Sequence, residues 1–239
     1  MRCSQRQLLA PTALLGAALF VGCEPEDLVH GEPQPAGAPA PALEFQAPEG
    51  TVMTLDGQPI TRAEVDALAE LVAKVYPQYT RPHLRRLALL NKIFPLRALA
   101  ERHAEARRAS RALAEGALEL AAGGEALGGS VEAEGDWRDL GFELWSELVV
   151  QAPELATWTG PIEIPGRHLV VRIEERPPAG HPERDGWRVS ILEFPYLPED
   201  RRATTIDAAL DDCALEILEP AWNEVVPEGW KHRMKPSGG

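Results

Sequence analysis

Two residues in this 239-residue chain stand out as able to do chemistry: a histidine in a patterned stretch and a cysteine near the N-terminus. His168 opens the apolar run Leu169-Val-Val-Arg-Ile-Glu174 directly after a Gly-rich turn, where an imidazole can give or take a proton near neutral pH. The six His do not cluster. His83 and His103 fall in basic helical sequence, His30 in a Pro-rich stretch, His181 in a Pro/Gly loop and His232 in the tail, which predicts no metal site and no cofactor. HExxH, CxxC, GxSxG and GxxxxGK[ST] do not occur, so the common metalloprotease, redox, hydrolase and nucleotide-binding signatures are missing. Cys213 follows Asp211 and Asp212, whose negative field opposes a thiolate, and it falls on the apolar stripe of a predicted terminal helix. It reads as a core residue and not as a nucleophile.

Cys23 has a different context. Met1–Gln7 carries Arg2 and Arg6, Leu8–Gly22 is a short apolar run, and Phe20-Val-Gly-Cys23 is similar to a bacterial lipobox, in which the cysteine is acylated and becomes the first residue. The run is too short to span a bilayer comfortably. Residues 1–22 therefore read as a lipoprotein signal peptide. Residues 23–50 read as a Pro/Ala-rich tether, with Pro25, Pro33, Pro35, Pro39, Pro41 and Pro48 spread over a stretch too poor in large apolar residues to fold. Only Cys213 is then left as a thiol, so no internal disulfide is expected.

The elements that must position His168 begin at residue 51. Thr51–Leu55 predicts a strand, Asp56-Gly57 a tight turn, and Thr61-Arg-Ala-Glu64 a capping box opening a helix that Pro77 stops. A second helix is expected from Pro82, with Leu84, Leu87, Leu90 and Ile93 as its stripe and a kink or break at Pro95. A third is expected from about Leu96 to Ala122, followed by a Gly-rich loop through Gly135. Beyond the loop come a short helix at 142–150, strands at 168–174 and 187–194, and a closing helix bearing Ile206, Leu210, Cys213 and Ile217. The fold class expected is α+β: a helical portion over 51–122, a small antiparallel sheet with flanking helices over 123–230, and a tail at 231–239.

Net charge is -13, and -15 without the first 22 residues, which repels nucleic acid. Residues 81–111 nevertheless carry nine basic groups against Glu101 and Glu105. That concentration reads either as a solvated face paired with the acidic remainder or as a basic patch, with Arg85, Arg86, Arg97, Arg107 and Arg108 as its members.

The order of several motifs resembles a known family. Leu55-Asp-Gly-Gln-Pro-Ile-Thr-Arg-Ala-Glu-Val65 is similar to the opening of SurA-like and PpiC-like periplasmic chaperones. Asp139-Leu-Gly-Phe142 and Gly160-Pro-Ile-Glu-Ile-Pro-Gly-Arg-His-Leu-Val-Val-Arg-Ile-Glu-Glu-Arg176 resemble segments of parvulin-type peptidyl-prolyl isomerases. The likeness spans about 51–176. With the lipobox, it implies a lipid-anchored, periplasm-facing folding factor whose partners are unfolded or extended polypeptides and, through the anchor, a membrane, with His168 either a residue of its prolyl pocket or a packing relic. The family's first strand, which carries a second His, has no counterpart before the long helix. Trp187–Phe194 resembles that strand displaced to the far end, without its His, so the implied isomerase is degenerate. A non-enzymatic envelope adaptor docking one fixed protein is the alternative reading. If Cys23 is acylated, cells fed radiolabelled palmitate label the chain and Cys23→Ser abolishes the label; label that survives the substitution contradicts the reading.

Overall fold

A computed structural model describes residues 48–178 and 180–233. Cys23, the expected leader, most of the expected tether and the end of the tail lie outside the described residues, which belong to one compact unit. Its architecture is mixed α+β, with helices and two antiparallel sheets.

Strand β1 (Thr51–Leu55) turns through Asp56 and Gly57 into β2 (Gln58–Thr61), and both turn residues take positive φ (51° and 79°), as a two-residue hairpin requires. The last strand, β7 (Leu215–Ile217), pairs with the other edge of β1, Met53 facing Ile217 and Leu55 facing Leu215. The two ends of the described chain are thereby tied together, and β1 is buried along its length. Helix α1 (Arg62–Val75) starts on Thr61, whose hydroxyl accepts from the Glu64 N–H (3.2 Å), and stops before Pro77 as expected.

The next stretch departs from expectation at both proposed boundaries. Helix α2 (Arg81–Ala88) runs through a π-helical turn at Leu89–Ile93 into α3 (Phe94–Arg102), so Pro95 does not break the path. A widened turn relieves the clash of the proline ring with the carbonyl one turn back and absorbs its missing N–H. The break comes at His103 (φ -123°), before α4 (Ala104–Ala122). The change of direction has a packing cause. Phe94, Ala98 and Leu99 of α3 are buried with Val52, Leu55, Ala209 and Trp222, whereas Ala114 of α4 is buried against the second sheet.

That sheet has the order β3-β6-β5-β4, built from β3 (Val131–Gly135), β4 (Trp158–Ile164), β5 (Arg167–Glu175) and β6 (Trp187–Pro195). Its strands alternate as a two-sided sheet must. Val170, Leu192 and Phe194 face α4; Leu169, Val171, Ile173, Val189 and Ile191 face α6 (Phe142–Gln151), which follows the four-residue α5 (Trp137–Leu140). Two strands of this sheet escaped sequence reading, as did β2 and β7 of the first. β3 is half of the expected Gly-rich loop, and β4 holds the Gly-Pro pair that reads as a turn. The closing helix is also shorter than expected: α7 (Arg202–Asp211) ends before Cys213, and Ile217 belongs to β7. Residues beyond 122 thus complete the sheet and core begun by residues 51–55, and contacts cross the expected 122/123 boundary.

Gly160 takes φ 140° in the irregular part of β4, and a Cβ there would stand 2.7 Å from the Leu169 carbonyl oxygen. Gly160→Ala is therefore expected to cost about 1–3 kcal/mol in urea unfolding; an unchanged midpoint would contradict the close approach.

Candidate functional site

His168 is 2% exposed and faces the long helix. Its Nδ1 lies 2.9 Å from the Ser110 Oγ on α4, and that hydroxyl donates to the Phe194 carbonyl on the neighbouring strand. With the hydroxyl proton spent on Phe194, Nδ1 must carry the hydrogen and donate to Ser110, which leaves Nε2 with its lone pair. Nε2 looks toward Glu163, opposite His168 in the β4–β5 register, at 3.9 Å from Oε2. Glu163 is itself held by Arg107 of α4 in a two-pronged pair, with Nη2 2.6 Å from Oε2, and by the Tyr196 hydroxyl at 3.3 Å from Oε1.

The environment sets the protonation of this cluster. Burial, opposed by Glu163 and aided by Arg107, holds the His168 imidazole below its ordinary pKa, so it is neutral near pH 7. Burial pushes Tyr196 up to about 12, leaving it a hydrogen-bond donor throughout the physiological range. The combination Ser110, His168, Glu163 has the residue types of a hydrolytic triad and the wrong proton traffic. The imidazole donates to the serine and does not accept from it, and the serine is 4% exposed in mid-helix.

Two hollows meet at this cluster. One, about 270 Å³, is lined by Ala104, Arg107, Arg108, Arg111, Glu163 and His168. The other, about 510 Å³, is a cleft floored by Ala67, Leu68, Ile93, Leu96, Ala100 and Val150. They share Ala100, Glu101, Arg107 and Glu163, so they form one trench with the Arg107–Glu163 pair as a crossbar.

The trench contains a residue that sequence reading missed. Lys92 sits in the π-turn, 4% exposed, with Nζ 2.7 Å from Ser146 Oγ and 2.6 Å from Glu147 Oε1 of α6. A lysine between Asn91 and Ile93 reads as surface charge; the only signal was the proline three residues on, which creates the turn that aims it inward.

The five arginines expected as a patch are spread over several contacts. Arg85 pairs with Asp66 (2.7 Å) and lies over the Trp222 ring, Arg86 donates to the Val225 (3.0 Å) and Glu224 (2.6 Å) carbonyls, and Arg97 pairs with Glu64 (3.2 Å). Arg107 holds Glu163, while Arg108 is exposed and has no acidic partner among the described residues. Cys213 is buried beyond the end of α7, its thiol pushed up to about 11 by burial and by Asp56, which takes the role expected of its neighbours in sequence. Among the described residues no three His, Cys, Asp or Glu side chains gather to hold a metal ion, and no helix is long and apolar enough to cross a membrane. Comparison of the chain with protein-family models, curated protein sequences and solved structures found no match. Fold and site define a mixed α+β protein with a trench between its helices and an antiparallel sheet.

A depressed histidine fixes the sign of a pH effect. The unfolded chain takes up a proton near pH 6.5 where the folded chain does not, so this contribution to stability is present above that pH. It is lost as the pH falls through about 6.5 and levels off below the folded-state value. Urea midpoints measured down this range should fall less in His168→Gln than in the parent; equal slopes would contradict a neutral, buried His168.

Proposed function

We propose that the protein is a lipid-anchored folding factor of the bacterial envelope that holds unfolded or extended polypeptides in its trench. The observation that carries this reading is the cleft of about 510 Å³, whose aliphatic floor is walled by Arg97–Glu64, Lys92–Glu147 and Arg107–Glu163. An extended chain offers alternate side chains to such a floor. Its main-chain carbonyls and N–H groups find donors and acceptors along charged walls whatever its sequence, which suits a binder of many clients.

The family likeness gains support from the sheet. β6 pairs antiparallel with β5 from Arg167↔Pro195 to Glu175↔Arg188, so the strand that resembles the family's first strand lies beside the one that resembles its last, as a permuted parvulin sheet requires. The paired His is absent from β6, where Ser190 bonds Glu174 (3.3 Å). In this reading His168 pins α4 to the sheet and does not twist a prolyl bond. Prolyl isomerisation itself needs no nucleophile, only an apolar seat and hydrogen bonds that lower a barrier of about 18–20 kcal/mol.

Leu96→Glu should weaken suppression of client aggregation about tenfold, the worth of one buried leucine. A prolyl-peptide isomerisation rate that depends on His168 would overturn the pin. Neither activity, together with one stable partner in a pull-down, would favour the adaptor.

A further inference from the structure

The smaller hollow of the trench differs in charge from the cleft it joins. The cleft is walled by matched ion pairs, Arg97–Glu64, Lys92–Glu147 and Arg107–Glu163. Of the residues lining the smaller hollow, Ala100, Glu101, Arg107 and Glu163 are shared with the cleft, whereas Ala104, Arg108, Arg111 and His168 are its own. That far end therefore holds two guanidinium groups and no carboxylate. Arg108 is exposed with no acidic partner among the described residues. Arg111 pairs with Glu115 one turn along the same helix, where the two side chains are 63% and 49% exposed. An ion pair so open to water is weak and gives way readily to another acceptor. Ala104 opens α4, whose start carries no side-chain cap, so the positive end of a 19-residue helix adds to the charge.

The same end offers an unanswered acceptor. His168 gives its Nδ1 hydrogen to Ser110, and Nε2 keeps a lone pair to which no described residue donates; Glu163, 3.9 Å away, is an acceptor as well. A lone pair on a side chain so deeply buried costs free energy unless a donor reaches it from the hollow. The ligand that satisfies this end must bring an anionic acceptor for the arginines and, beside it, a donor for Nε2. A phosphate dianion brings the first without the second, and a side-chain carboxylate is set apart from its main-chain N–H by the length of the side chain. The last residue of a polypeptide brings both, because its carboxylate and its N–H sit on one carbon atom. Arginine takes a carboxylate through two parallel N–H donors, which fixes the direction of the chain behind it. Size agrees: about 270 Å³ falls below the range that encloses a drug-sized ligand and suits the end of a chain.

We propose that the trench receives its client end-on: the C-terminal carboxylate lies on Arg108 and Arg111, the last N–H donates to His168 Nε2, and the preceding residues cross the Arg107–Glu163 bar into the cleft. The proposal rests on the trench reading above and gives it a polarity and a substrate class, polypeptides whose free C-terminus follows an apolar run. The two ring nitrogens of His168 then have separate duties. Nδ1 ties the sheet to α4 through Ser110, and Nε2 faces the client.

Fluorescence anisotropy of the full chain with a short peptide of alternating leucine and alanine, labelled at its N-terminus and ending in a free carboxylate, tests the assignment. Amidation of the C-terminus, or N-methylation of the last peptide bond, should each weaken binding about tenfold. Arg108→Ala, at an exposed side chain without a partner, should weaken the acid peptide as much and the amidated peptide no further. Leu96→Glu should weaken both. Equal affinity for acid and amidated peptides, both weakened by Leu96→Glu, would overturn the end-on seat and leave the trench reading in place; binding of neither peptide would overturn both. An amidated peptide with an internal glutamate that binds as tightly as the acid peptide would also overturn the proposal, because a side chain and not the chain end would then supply the carboxylate.

Discussion

The hydrogen-bond chain from His168 through Ser110 to the Phe194 carbonyl fixes how the long helix sits on the sheet, and both hollows exist because of that seating. A helix laid on a sheet by apolar contacts alone can slide, because dispersion and burial are non-directional. A buried imidazole cannot: its one N–H must find an acceptor, and the Ser110 hydroxyl must find one in turn, or each costs a desolvated polar group. Arg107, less than one turn before Ser110 on the same helix, adds the two-pronged hold on Glu163 across the strand from His168. Together they fix the height and rotation of α4, and α3, joined to it at His103, is left standing off α6 and β4 with the cleft between them.

The ion pairs across the trench serve geometry more than stability. Lys92 is almost wholly withdrawn from water, and the gain from Glu147 and Ser146 is offset by the desolvation of the charge. What the pair supplies is direction. It ties the π-turn to α6 at one point and keeps the cleft wall from collapsing onto its aliphatic floor. Arg97–Glu64 does the same between α3 and α1, at about one-third exposure, where its contribution to stability is small.

Much of this plan was legible in the sequence. The tight turn at Asp56-Gly57, the Thr61 cap, the stop before Pro77, and the strands around His168 and Trp187 all follow from local rules, because turn chemistry, capping and period-two alternation act over a few residues. The failures were non-local. Val131–Gly135 has the composition of a loop and becomes a strand only because β6 offers it an edge; Ile217 looks helical by spacing until β1 takes it as a strand partner. Pro95 reads as a break because local sequence does not reveal that a π-turn can absorb it. In the site, His168 was visible as the start of a strand, but Ser110, Glu163 and Tyr196 carry no local mark, and Lys92 was hidden by its charge.

The proposed function requires client polypeptide to lie in the trench framed by this seating. Hydrogen exchange of the full chain with and without an unfolded client tests it most directly. The account predicts added protection confined to amides of α1, the π-turn, α3 and the end of α6 that border the cleft, with the α7 and β7 region unchanged. Protection spread over the opposite face, or none at a client concentration that suppresses aggregation, would contradict it.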